Sequence, residues 1–189
     1  MPPEGRAVAR RAANAFGCES PSVRRYYDEA ETYAVDVMMC ADRPAVGFAT
    51  YSTVSLHVAP NEMDGSNIAV EFVAVGSSTV PALANLLATA AFYVKKNHWL
   101  AAPGVVFPNI VTECGLASSL THVMWSPPFP WEELGAMPID DEIAVHWLLA
   151  VPISEQERGF LLSHGFDALE RLFSEQQVPY FDLTRPSLV

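Results

Sequence analysis

The chain has 189 residues, half of them apolar and 17% charged, enough to bury one sizeable core without disulfide staples. Fifteen prolines break it too often for a coiled coil or helical solenoid. A formal net charge of −11 disfavours nucleic acid and anionic membrane as partners, because like charges repel.

The first element is "AVARRAANAFG", which puts Val8, Ala12, Ala15 and Phe16 on one helical face and ends at Gly17, the pattern of a short amphipathic helix. "TYAVDVMM", Thr32 to Met39, and "VGFATYSTVSLHV", Val46 to Val58, then read as two successive strands across a Pro-containing turn. "IAVEFVAV", Ile68 to Val75, is apolar on both faces apart from Glu71, as a central strand is. The helix that follows is expected to be capped by Ser78 or Thr79 and to carry Pro81 in its first turn. Its stripe is Leu83, Leu86, Leu87, Ala90 and Val94, and Lys95 and Lys96 complement the dipole at its end.

From Ser118 a strand is expected to run until Pro127, where it passes into the Pro-aromatic segment "MWSPPFPWEE". A further strand places Ile143, Val145, Trp147, Leu149 and Val151 on one face. Ser154 and Glu157 follow it at capping-box spacing, where each side chain reaches the other's orphaned backbone donor. That helix pauses at Gly165 and resumes through Phe166, Leu169, Leu172 and Phe173, before an extended tail. Strands in succession without regular strand–helix alternation predict a single α+β domain over residues 1–189, with a mixed, mainly antiparallel sheet covered by helices. Residues 1–20 form its N-terminal helical segment, and the core runs from about residue 30 to 189.

Three cysteines, Cys18, Cys40 and Cys114, are odd in number and widely spaced, so no disulfide framework is expected. The N-terminus lacks the continuous apolar stretch of a signal peptide, and the longest apolar run, "LANLLATAAFYV", is too short to span a bilayer. A reducing, cytoplasmic setting is the expectation.

The motifs of catalysis are missing. There is no G-x-S-x-G elbow and no phosphate-cradling glycine loop. The histidines, His57, His98, His122, His146 and His164, have no spacing that would place two zinc ligands on one face. Asp140, Asp141 and Glu142 offer oxygens to a cation but read more simply as a solvated turn, and Cys114 reads as a small hydrophobe. No metal, cofactor or catalytic residue is expected. The residual enzyme reading is a hydrolase using His146 or His122 with a nearby carboxylate inside a pocket.

Between Asn97 and Glu157 there is no Lys or Arg, while Glu132, Glu133, Asp140, Asp141 and Glu142 fall in that stretch. Such a block steers basic proteins toward itself, and it also serves plain solubility. The adjoining Trp125, Phe129 and Trp131 stand among prolines that restrict the backbone, which lowers the entropy lost on docking. The alternative is that these rings fold back into the core.

"PGVVFPNI", "LTHVMWSPPFPWEEL", "HWLLAVPISEQERGFLLSHGFDALERLF" and "YFDLTRPSL", in that order and spacing, resemble the Suppressor of fused domain family, particularly its short bacterial members. The resemblance implies a binding module without catalytic residues. Animal members hold a transcription-factor peptide between two lobes, and bacterial relatives include antitoxin or immunity proteins. It therefore implies a partner that is another protein, possibly a basic toxin, with Trp125, Phe129, Trp131, Glu132, Glu133, Asp140, Asp141 and Glu142 as candidate contacts. The alternative partner is a transcription factor or a second copy of the chain.

Overall fold

The computed structural model describes residues 3–116, 119–140 and 143–189. Its elements are α1 (Pro3–Ala15), β1 (Ser22–Tyr27), β2 (Ala34–Ala41), β3 (Phe48–Thr53), β4 (Glu62–Met63), β5 (Ser66–Asn67), β6 (Ala69–Ser77) and α2 (Ala82–Asn97). They continue as β7 (Val106–Phe107), α3 (Ile110–Glu113), β8 (His122–Ser126), a 3-10 turn over Glu132–Leu134, β9 (Met137–Pro138), β10 (Ala144–Ile153), α4 (Glu155–His164) and α5 (Phe166–Glu175). The main sheet runs β1-β2-β3-β6-β10-β8-β7, with β9 beside β10, and β4 and β5 form a separate hairpin. All pairings are antiparallel except that of β6 with β10, so the mixed, mainly antiparallel α+β architecture stands as expected.

Period-two alternation divides the sheet's side chains between two cores. On one face Val35, Val37, Tyr51, Phe72, Trp125 and Leu148 pack under the Leu83, Leu86, Leu87, Ala90 and Val94 stripe of α2. On the other, Met38, Val73, Val145, Trp147, Leu149 and Val151 meet Val8 and Ala12 of α1 and Leu169 and Phe173 of α5. β6 is central and buried along almost its whole length, Glu71 included. Gly76 leaves room there for α2, since a Cβ would stand 2.4 Å from Leu83 Cδ1 and push that side chain aside.

Three expectations need correction. The strand drawn from Val46 to Val58 is only Phe48–Thr53, because Thr53 Oγ1 takes the Phe72 N–H and the chain then turns away, held by Glu71. Neither Ser78 nor Thr79 caps α2. Pro81 occupies the cap position, and Thr79 instead bonds Ser77. Ile143 is more than a third exposed and lies just outside β10. Before these elements, β1 adds an edge strand that pairs with β2 along its entire length. The start of the strand drawn from Ser118 lies outside the described residues, and β8 spans His122–Ser126.

The Ser154–Glu157 capping box forms as read. Glu157 does more than cap, because its carboxylate also receives Arg185 through both terminal nitrogens, at 2.6 and 3.0 Å, and the Leu188 N–H. Arg185 reaches the Pro152 carbonyl and lies over the Phe173 ring, so the tail is strapped across the start of α4.

Candidate interaction site

The Pro-aromatic segment folds back on itself before it faces outward. Trp131 N–H bonds the Pro128 carbonyl and Leu134 N–H bonds the Trp131 carbonyl, the compact turns that closely spaced prolines favour. Trp131 is buried with its ring edge-on to Phe16 at 5.0 Å, so the end of α1 props the loop. Trp125 is fully buried and stacks on Phe72 at 3.8 Å. Both indoles thus belong to the core, the alternative that the sequence left open for them: a large ring beside a strand gains more from burial than from solvent. Phe129 stays half exposed against Tyr180.

With Trp131 pinned inward, Glu132 and Glu133 point to solvent and have no partner among the described residues. Asp140 is exposed, and its carboxylate accepts the Ile143 N–H. Asp141 and Glu142 lie outside the described residues.

The same loop forms one side of a cleft of about 450 Å³. Pro127, Pro128, Leu134, Gly135 and Ala136 line it together with Ala101–Pro103, Met63, Ile68, Val70, Trp147, Leu148 and the exposed His146. The lining is almost wholly apolar, while exposed carboxylates flank it in the chain: Glu132 and Glu133 before Leu134, and Glu62 and Asp64 on either side of Met63. A trough this apolar offers burial to a hydrophobic side chain.

Buried polar groups hold the cleft in shape, and sequence reading passed over most of them. Asn61 donates through Nδ2 to the carbonyls of Ile68 and Ala101 and accepts the Ala101 N–H at 2.9 Å, which ties the β4–β5 hairpin to the Ala101–Pro103 wall. Glu71, fully buried in β6, accepts the N–H groups of Leu56 and His57 and lies 2.6 Å from His57 Nδ1. Its register partner in β10 is Trp147, which lines the cleft. The apolar run around Glu71 was the available signal, since an acid inside a central strand must be satisfied locally. Asn61 had no such signal, because its partners come from a hairpin and a distant loop.

The two histidines of the hydrolase reading are placed apart. His122 Nε2 is 2.7 Å from Glu155, and its Nδ1 accepts the Asn109 N–H. Nδ1 therefore carries no proton, Nε2 donates to Glu155, and the bond holds that carboxyl below its ordinary range. Both nitrogens are occupied, and the cleft includes neither residue. His146 lines the cleft but has no acid partner among the described residues. Among the described residues no cluster of three His, Cys, Asp or Glu side chains is placed to hold a metal. No helix of the described residues is long and apolar enough to cross a membrane.

The family model described as Suppressor of fused protein (SUFU) matches residues 31–186. Immunity protein YqcF of Bacillus subtilis (strain 168) is 35% identical over 188 residues, which cover 98% of this chain and 97% of that protein. The crystal structure of a SUFU homologue from Neisseria gonorrhoeae FA 1090 superposes with a TM-score of 0.73 at 20% identity, over 98% of this chain and 97% of the other. A chain of the Sufu–Fu complex superposes with a TM-score of 0.65 at 12% identity, over 93% of this chain and 86% of the other.

Proposed function

This chain belongs to the Suppressor of fused family, and from that premise we propose that it is an immunity-like protein that binds and neutralises a partner protein without performing chemistry. The observation that carries the reading is the 35% identity to an immunity protein along essentially the whole of both chains.

The docking site in this reading is the apolar cleft with its anionic rim. The partner inserts an apolar side chain between Leu134 and Ala101, with basic residues on either side facing Glu132, Glu133, Glu62 and Asp64. Apolar burial supplies affinity, and the rim charges supply association rate. A net charge of −11 adds long-range attraction for a basic toxin and keeps nucleic acid away. Action in the cytoplasm, beside a toxin made by the same cell, is part of this proposal.

The test uses the protein encoded by the reading frame beside this gene. Cells that produce that protein alone are plated against cells that also produce this chain, and the purified pair is titrated calorimetrically. Restored growth and a saturable complex are expected. A toxic neighbour that neither binds the chain nor is relieved by it would overturn the proposal.

A further inference from the structure

The Pro-aromatic loop also borders a second, smaller pocket. Pro127 and Pro128 line the cleft, while the next residue, Phe129, lines this pocket of about 260 Å³. Period two along β8 sets Met124 and Ser126 on one face of the sheet, and Met124 forms the floor with its register partner Val151 of β10. On α5, Glu170, Phe173 and Ser174 stand three and four residues apart, so they share one helix face, and all three line the pocket. Tyr180 adds a wall from the tail, its ring centroid 4.7 Å from that of Phe129 and 5.9 Å from that of Phe173.

Glu170 is the one charged residue in this lining. Buried Ser126 fixes it by donating from Oγ to Oε1 at 3.0 Å, and the carboxylate has no cationic partner among the described residues. A carboxylate held beside three aromatic rings favours a cation, whose charge meets the acid while its aliphatic stem covers the rings. The volume is below that of sites that take cofactors or drug-sized ligands and suits a single side chain. Arg185 lies over the Phe173 ring at 5.1 Å, but Glu157 meets its charge and it is not part of the lining.

We propose that this pocket takes the side chain of one lysine or arginine of the partner protein, its stem on Met124 and Val151 and its cationic head against Glu170 and the Phe129, Phe173 and Tyr180 rings. This anchor rests on the partner-binding reading above and adds a chemically different contact to it. The cleft offers apolar burial, and the pocket selects a positive charge. Phe129 and the two prolines before it carry both contacts on one loop, so a partner segment that reaches the cleft passes the pocket.

The full chain is titrated with n-butylammonium, with methylguanidinium and, as the uncharged control, with 1-butanol, while backbone amide shifts are followed by NMR. Saturable shifts at Phe129, Glu170, Ser174 and Tyr180 are expected with at least one cation, the tighter of the two telling lysine from arginine. Binding of 1-butanol should be about tenfold weaker. Glu170→Gln, which keeps an acceptor for Ser126, should weaken the cations about three- to tenfold and leave 1-butanol unchanged. Phe129→Ala should weaken all three probes. No saturable shift at these residues, shifts centred instead on Glu132 and Glu133, an equal response to 1-butanol, or cation binding unchanged in Glu170→Gln would each overturn the proposal. In the purified complex Glu170→Gln should lower partner affinity by a similar factor. A partner that binds wild type and Glu170→Gln equally would overturn the anchor and leave the neutralising reading intact.

Discussion

Glu157 and the pair Glu132–Glu133 are the same residue type at the starts of helical turns, and the protein uses them in opposite ways. Glu157 is fully buried, and its carboxylate accepts the Ser154 and Leu188 N–H groups and both terminal nitrogens of Arg185. Glu132 and Glu133 are exposed and unpartnered among the described residues. Burying a carboxylate is costly unless its acceptors are filled, and both oxygens of Glu157 are bonded, so it holds the tail to α4 and has little left to offer. The rim acids retain their full capacity for a partner. Satisfied polar groups mark what keeps the fold, and unsatisfied exposed ones mark where it can act.

Breaking the latch should have the largest effect. Arg185→Ala leaves Glu157 buried without its cation and should cost about 3–5 kcal/mol in urea unfolding, enough to threaten folding altogether. A loss below about 1 kcal/mol in that experiment would mean the strap is ornamental. Asn61→Ala, which unties the hairpin from the Ala101 wall, should cost about 1–3 kcal/mol. It should also weaken partner binding beyond what the rim charges explain.

Acid should act on the Arg25–Asp36 pair, where hydrogen bonding to Arg25 at 2.7 and 2.8 Å holds the Asp36 carboxyl below its ordinary value. Its folded pKa lies under its unfolded one, so this stabilisation is present in full above the ordinary carboxylate range. It is lost as pH falls below about 4. Asp36→Asn should flatten that part of the stability–pH curve, and an unaltered curve would remove the pair from the account. Smallest of all, Glu132→Gln with Glu133→Gln should leave stability within about 0.5 kcal/mol of wild type, since neither side chain has a partner among the described residues.

The contrast also explains what the sequence made legible. The capping box, the α2 stripe, the pause at Gly165 and the buried strand around Glu71 are local patterns of period and spacing, and each appears in the structure. β1 escaped because "SVRRYY" lies on a sheet edge with nearly every side chain exposed, so no alternation marked it. The cleft escaped because its walls come from separated segments that only tertiary structure unites, with Asn61 as the stitch. The choice between core and contact stayed open for Trp125 and Trp131 for a related reason. Proline-flanked aromatics look alike in sequence whether they face a partner or Phe72 and Phe16, and only the fold supplies those opposing rings.

The most direct measurement is the association rate with the purified partner as salt is raised, for wild type and for the Glu132→Gln, Glu133→Gln double variant. The account predicts that the wild-type rate falls steeply with ionic strength while the variant starts slower and shows a shallower slope. Two superimposable curves would contradict it, and would leave this acidic rim as a solubilising surface with no part in recognition.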